Sequence, residues 1–215
     1  MCHAPRNASG ESPGRPPPPG RGPRPSGRRG RRGWKTGTMN DTHPDHPARP
    51  VLDVWCELQC PDCYRALADL RTLRERYGYA LEIRLRHFPL EKHRHAYAAA
   101  QAAEEAYAQG RGDAYVAAVL ARAEELGRRG EELLLEVAGK LELDTEEMEL
   151  ALIDGRHMLV VDADQAEGRA IGVTGTPTYV IGGERLDGGK SQEGLLERIE
   201  EIADRLLAEG SGRDR

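Results

Sequence analysis

From Val51 onward the chain switches between two hydrophobic periods. "VLDVWCEL", residues 51–58, is a run of β-branched and apolar side chains suited to a buried strand. It passes directly into "CPDCYRALADLRTLRERYG", where Cys63, Leu67, Leu70, Leu73 and Tyr77 recur every three or four positions. That stripe predicts an amphipathic helix, and Gly78 suits its C-cap. "ALEIRLR" then alternates Leu81, Ile83 and Leu85 with Glu82, Arg84 and Arg86, the period of a half-buried strand. Strand, helix and strand of this length predict a right-handed βαβ unit.

Residues 96–165 are helical in character almost throughout. "AYAAAQAAEEAYAQG" is Ala-rich and ends in Gly110, and Asp113 is expected to cap a helix running towards Leu126 and Gly127. "EELLLEVAGKLEL" follows, and Asp144 with Glu147 forms a D-x-x-E capping box ahead of "MELALI". Another helix is expected at about 158–170. Strands then return: "TPTYVIGGERLDG" predicts a hairpin of Thr178–Ile181 and Glu184–Leu186 turning at Gly182-Gly183. "QEGLLERIEEIADRLLAEG" closes the domain as a helix with Leu195, Leu196, Ile199, Ile202 and Leu206 on one face. The expected class is α/β: a central mixed sheet flanked by helices, with an all-helical insertion at about 93–165. The folded domain is expected to span 49–208, followed by a disordered tail at 209–215.

Composition adds an asymmetry. The chain of 215 residues is 38% hydrophobic and 31% charged, enough for one good core. Residues 1–50 carry ten Lys/Arg against three Asp/Glu, a balance of +7, whereas the remainder carries 21 against 33, or −12. Residues 1–48 contain "SPGRPPPPGRGPRPSGRRGRRG", with almost nothing apolar to bury, and are expected to be a disordered basic tail. Such a tail can hold phosphates. With Trp34 as its one aromatic, though, it is not expected to be a nucleic-acid site. Met39 opens "MNDTHPDHPARPVLDVW" and is the expected true start. The tail has no apolar h-region, and no 18-residue apolar run occurs, so neither a signal peptide nor a membrane span is expected. The expected compartment is the cytoplasm, where clustered cysteines are more often catalytic or metal-binding than structural.

Three of the four cysteines fall within "WCELQCPDCY", spaced C-x3-C-x2-C, while Cys2 lies in the tail. Two chemistries compete. In the first, Cys60 and Cys63 form a dithiol. Cys60 sits where strand passes into helix, Pro61 takes the first helical position, where a missing N–H costs nothing, and Cys63 lies one turn down on the same face. Their Cα separation in a first turn is about 5–5.5 Å, within the range for a disulfide. The helix N-terminus is expected to lower the Cys60 thiol pKa, leaving Cys63 as the protonated resolving thiol. In the second, the triad holds an iron–sulfur cluster, as in radical S-adenosylmethionine enzymes. Those enzymes continue into a series of βα repeats, and here about 70 mostly helical residues follow instead. Zinc is weaker still, because His87, His93 and His95 stand outside C-x-x-C spacing. The dithiol is preferred, with no metal and no bound cofactor.

With these pieces in order, the chain resembles the thioredoxin superfamily, specifically the DsbA-like branch with an inserted helical domain. The likeness rests on "VLDVWCELQ", "CPDC", "RHFPLEKHRHA", "LELDTEEM" and "AIGVTGTPTYVIGGERLDG", and covers about residues 50–208. It implies thiol–disulfide exchange, in which Cys60 attacks a substrate disulfide and Cys63 releases the product. It also implies that Thr176-Pro177 is the cis-proline loop facing the dithiol, and that Pro61, Asp62, Thr176 and Pro177 meet the substrate. The substrate would be a disulfide-containing protein or a small thiol compound, with the recycling reductant or oxidant unidentified. Two alternatives stay open: a DsbA-related isomerase or thiol transferase using a low-molecular-weight thiol, and a non-catalytic peptide-binding or chaperone module.

The chain departs from the family pattern at several points. Asp62 stands where strongly oxidising relatives carry a basic residue, so the dithiol is expected to be the better reductant. The family's buried acid, six residues before the nucleophile, is replaced by Val54. Asp53 is one residue away on the other strand face, and Glu57 is a distant substitute. Cys56 is expected to be a small buried side chain out of reach of both partner thiols. The histidines of "HFPLEKHRH" are expected to be a solvated helix start after a packed Phe88-Pro89-Leu90 connection. Tyr97, Tyr107 and Tyr115 are expected in the core, and "EELLLEVAGKLE" to be a charged helix face.

Overall fold

The computed structural model describes residues 49–189 and 193–212. The expectations for residues 1–48, including Cys2 and the start at Met39, lie outside the described residues. Four strands form one sheet: β1 (Val51–Cys56), β2 (Glu82–His87), β3 (Thr178–Ile181) and β4 (Glu184–Asp187), in the order β2-β1-β3-β4. β1 runs parallel to β2 and antiparallel to β3, and β3 and β4 are an antiparallel hairpin. The hairpin turns at Gly182 and Gly183, whose φ values of 56° and 81° are what a two-residue primed turn demands at both centres.

Helix α1 (Pro61–Tyr77) connects β1 to β2 and buries Cys63, Ala66, Leu70 and Leu73. These pack on the sheet face formed by Leu52, Val54 and Cys56, alternate residues of β1 that point the same way. The sequence after β2 folds into α2 (Ala96–Ala108), α3 (Gly112–Leu120), α4 (Ala123–Arg129), α5 (Glu131–Lys140), α6 (Thr145–Asp154) and α7 (Met158–Ala170). α2 lies at the centre of this block and touches α3, α5, α6 and α7. Its buried positions are mostly Ala96, Ala99, Ala100, Ala102, Ala103 and Ala106, and such small side chains let four neighbours approach one helix. Asp144 caps α6, accepting the Glu147 N–H at 3.0 Å.

α7 fastens the helical block to the opposite sheet face. Trp55 Nε1 donates to the Asp164 carbonyl at 3.0 Å, and the buried Asp164 carboxylate accepts from Arg86 at 2.7 Å and from the His87 N–H at 3.0 Å. Gly168 makes this approach possible: a Cβ there would lie 2.6 Å from Trp55 Nε1. Helix α8 (Leu195–Gly212) closes the first face with Leu195, Ile199, Ile202 and Ala203. Among the described residues no helix is long and apolar enough to cross a membrane.

Four expectations are corrected. The single helix capped by Asp113 is two, α3 and α4, broken at Ala121-Arg122; the N-cap is Arg111, and Asp113 lies in the first turn. Arg122 leaves the helical path with its guanidinium paired to Glu125 and Glu136, at 2.7 and 2.8 Å. α8 runs to Gly212, four residues past the boundary at 208. Tyr115 is fully buried, as expected, but Tyr97 and Tyr107 are only half-buried, with their hydroxyls bonded to Asp162 and Asp113. Nor are the histidines simply solvated. His87 is buried against Glu104 at 2.8 Å, and His93 bonds the buried carboxylate of Glu57.

Candidate active site

β1 ends at Cys56, residues 57–59 turn, and Cys60 becomes the N-cap of α1 with an extended backbone and Pro61 behind it. The short turn is held at both ends. The Cys60 N–H reaches the Glu57 carbonyl at 3.4 Å, and Cys63 N–H bonds the Cys60 carbonyl at 3.1 Å. Cys60 is 6% exposed, Cys63 1% and Cys56 2%, and all three are free thiols.

Residues between α7 and β3 cover this turn. The Thr176-Pro177 bond is cis, and the Cys60 thiol donates to the Thr176 carbonyl at 3.4 Å. The Thr176 hydroxyl is buried without a conventional hydrogen-bond partner and lies against the Cys60 sulfur, where it favours a thiolate. A groove of about 860 Å³ opens beside Cys60. One wall is Phe88, Pro89, Leu90 and Lys92; the other includes Val173, Gly175, Thr176 and Pro177. Of the residues singled out from sequence, Cys60, Asp62, Thr176 and Pro177 line the groove. Cys63 lies beneath Cys60, and Pro61 faces solvent outside the groove, serving the helix start instead.

The electrostatics differ from the expectation of a depressed Cys60 pKa. The neighbouring Cys63 thiol first, and burial second, hold the Cys60 thiol above the ordinary cysteine range. The Thr176 hydroxyl and the Cys63 N–H pull the other way and are outweighed. Because the two thiols are neighbours, the second to ionise meets the charge of the first. Burial pushes the Cys63 thiol up as well, with contact from Cys56 adding to it. Asp62 pairs with Arg65 one turn on, and the largest influences on Cys60 come from other groups.

Val54 is fully buried in the strand, and β1 keeps an unbroken register with both neighbours, so no bulge swings Asp53 inward. Asp53 pairs with Arg86 at 3.1 Å on the other face. The buried acid nearest in sequence to the dithiol is Glu57, and its carboxylate turns to the groove wall: it accepts the Leu90 N–H at 2.8 Å and bonds His93. Gln59 repeats the device by accepting the His95 N–H at 3.0 Å. Sequence reasoning missed this pair of clamps. The available signal was two polar residues, Glu57 and Gln59, inside an otherwise apolar run. It missed more at Cys56. Cys56 and Cys63 lie in one buried cluster, and the Cys56 side chain is among the groups that raise the Cys63 thiol, so Cys56 is a neighbour of the dithiol and not remote from it. Among the described residues no three His, Cys, Asp or Glu side chains are arranged to hold a metal.

A dithiol at a helix N-terminus, set against a cis-proline at the start of a strand in a four-stranded mixed sheet, defines the thioredoxin class of fold. Within that class, residues 51–200 match the model of the DSBA-like thioredoxin domain, and the chain belongs to that family. Its helical block and sheet resemble alpha-DsbA1 of Wolbachia pipientis, with a TM-score of 0.65 and 18% identity over 79% of this chain and 92% of that one. A thioredoxin-like oxidoreductase from Silicibacter pomeroyi DSS-3 superposes with a TM-score of 0.61, at 22% identity over 72% of this chain and 87% of the other. In sequence, the chain is 27% identical over 158 residues to the Na(+)/H(+) antiporter NhaA 1 of Mycobacterium sp. (strain KMS). The match covers 73% of this chain but only a quarter of the antiporter's length.

Proposed function

We propose that the chain is a thiol–disulfide oxidoreductase that exchanges a Cys60–Cys63 dithiol with the disulfide of a protein or small-molecule substrate. The observation that carries this reading is the position of Cys60: its sulfur lies at the floor of an open groove, under Thr176 and beside Pro177, with Cys63 directly behind it. The Cys60 thiolate attacks one sulfur of the substrate disulfide, and the other leaves as a thiolate and takes a proton. Cys63 then loses its proton and attacks the Cys60 sulfur, releasing the second substrate thiol and leaving a Cys60–Cys63 disulfide. Two electrons pass to the substrate, and the reverse sequence oxidises a dithiol.

The groove suits an extended chain. Its apolar wall of Phe88, Pro89 and Leu90 faces a backbone run, Thr174 to Thr178, able to pair with a substrate strand. Both thiols are held in the neutral form, and no Lys, Arg or His is among the groups that favour the Cys60 thiolate. A dithiol whose thiolate is not stabilised surrenders its electrons readily, so reduction is the favoured direction in a reducing compartment such as the cytoplasm.

Insulin reduction by dithiothreitol, followed by turbidity, tests the reading. The parent protein is expected to shorten the lag, with Cys60→Ser abolishing the effect and Cys63→Ser trapping mixed disulfides. Equal behaviour of parent and both variants in reductase, oxidase and isomerase assays would leave only a binding or chaperone module.

A further inference from the structure

Cys63 has a sulfur on each side. Cys60 lies on its groove side and Cys56, at the end of β1, on its sheet side, all three in one core cluster, and both neighbours are among the groups that shift its thiol. The placement follows from the fold. Cys56 is the last residue of β1 and shares a face with Leu52 and Val54, the face that α1 covers. Cys63 is the first buried residue of α1 and packs on that face, where the backbone of Glu57, the residue that follows Cys56, is among the groups that favour its thiolate. Cys56 and Cys63 are both almost fully buried, and both belong to the same core cluster. A dithiol mechanism needs two sulfurs, and here a third stands in series behind them.

We propose that Cys56 is a second resolving thiol that moves the disulfide inward, from Cys60–Cys63 to Cys56–Cys63. This rests on the redox reading above. The Cys56 sulfur attacks Cys63, forming the Cys56–Cys63 bond and breaking the Cys60–Cys63 bond. Cys60 leaves as a thiolate and takes up the proton that Cys56 gives up. No external oxidant or reductant takes part, because one disulfide and one thiol are present before and after. Cys63 is the required centre, because it belongs to both disulfides and lies between the strand end that carries Cys56 and the groove that exposes Cys60. Cys60 is the sulfur displaced, because it is the other partner in the bond to Cys63, and it leaves into the groove, where the Thr176 hydroxyl and the Cys63 N–H stand beside it. The exchange stores the oxidation in the core and returns a free nucleophile to the groove. An oxidised molecule can therefore still open a substrate disulfide, as disulfide shuffling requires.

The test uses the full chain, oxidised with oxidised glutathione, freed of excess reagent, and held at pH 8 before an acid quench. Free thiols are blocked with N-ethylmaleimide in denaturant at low pH. Cleavage after Glu57 and before Asp62 then separates all three cysteines for mass spectrometry. The expected result is label divided between Cys56 and Cys60, with at least about one part in ten on Cys60; a tenfold ratio corresponds to about 1.4 kcal/mol between the two isomers. The Cys56→Ala and Cys56→Ser variants, oxidised alike, are expected to leave Cys60 unlabelled. Label on Cys56 alone in the parent overturns the relay but leaves the Cys60–Cys63 chemistry intact. So does equal Cys60 label in parent and variants. If none of the three cysteines is oxidised, both the relay and the redox reading fail.

Discussion

The buried carboxylate of Glu57 accepts the backbone N–H of Leu90 at 2.8 Å, and so ties the turn that presents Cys60 to the wall of the groove beside it. The same carboxylate holds His93. The two strand ends of the βαβ unit are thus joined by one side chain at the point where substrate would sit.

Removing that side chain should be costly. Glu57→Ala leaves the half-buried Leu90 N–H without its partner and is expected to destabilise the fold by about 1–3 kcal/mol in urea denaturation. Glu57→Gln keeps an acceptor and should recover part of the loss. Burial, chiefly, raises the Glu57 carboxyl above 4.5, so the fold prefers its neutral form. That contribution is present below about pH 4.5 and is lost as pH rises through the folded value. The stability of the parent relative to Glu57→Gln should therefore fall between pH 4 and pH 7, and a constant difference would contradict the burial account.

The dithiol carries its own pH signature. Both thiols are raised above the value of 9.0, Cys60 by the neighbouring Cys63 and by burial, Cys63 by burial and by Cys56. Iodoacetamide should accordingly modify Cys60 in the reduced protein more slowly at pH 7 than it modifies free cysteine. Because the fold holds the thiols neutral, their contribution to stability is complete below about pH 9 and is lost as pH rises through the folded values. The urea midpoint of the reduced chain should fall relative to the oxidised chain above pH 9. Rapid alkylation at pH 7 would refute the ordering of these effects.

Two substitutions in the groove should move the reduction potential in opposite directions. Asp62→His replaces a carboxylate beside Cys60 with a group that can carry positive charge, favouring the thiolate and stabilising the dithiol. Equilibration with glutathione should give a potential higher by roughly 30 mV, the equivalent of about 1.4 kcal/mol for a two-electron couple. Thr176→Val keeps the carbonyl that accepts the Cys60 thiol but removes the hydroxyl that favours its thiolate. Its potential should be lower than the parent's.

The contact between α7 and the sheet can be tested away from the dithiol, on the far side of the groove wall. Gly168→Ala would set a methyl group 2.6 Å from Trp55 Nε1 and 3.0 Å from the Phe88 ring. Overpacking of this kind costs about 1–3 kcal/mol. Thermal unfolding should show the loss, together with a change in Trp55 fluorescence, since the indole N–H would be pushed off the Asp164 carbonyl. An unchanged melting temperature would mean that the helix simply shifts along the sheet.

What could be read from sequence and what could not divides along a physical line. β1, α1 and β2 were legible because each repeats a period set by its own backbone, and Gly182-Gly183 because two successive positive φ angles need residues of that kind. Cys60 and Cys63 were legible because the helix itself brings them together. Cys56 was not: it lies across a turn whose path no period records, and its proximity to Cys63 depends on how residues 57–59 fold back. His93 and Leu90 meet Glu57 from more than thirty positions away, the separations being 36 and 33 residues. The break between α3 and α4 was hidden for another reason. "AVLARAEELG" is good helix sequence throughout, and the kink depends on Glu136 of α5 engaging Arg122.

The order β2-β1-β3-β4 leaves two strands without an outer neighbour among the described residues. Both are studded with charge: Glu82, Arg84 and Arg86 on one, Glu184, Arg185 and Asp187 on the other. Glu184 is also gripped by Arg198 and Arg205 of α8, at 2.9 and 2.7 Å. Open edges of this kind are poor templates for a stray β-segment, because an incoming strand would have to strip water from paired ions before its amides could join the ladder. For the proposed exchange with an extended disulfide-bearing segment, edges of this kind would keep that segment from pairing with the sheet. Among the described residues the charged margins disfavour such pairing, and the groove above Cys60 is where the extended segment is proposed to lie.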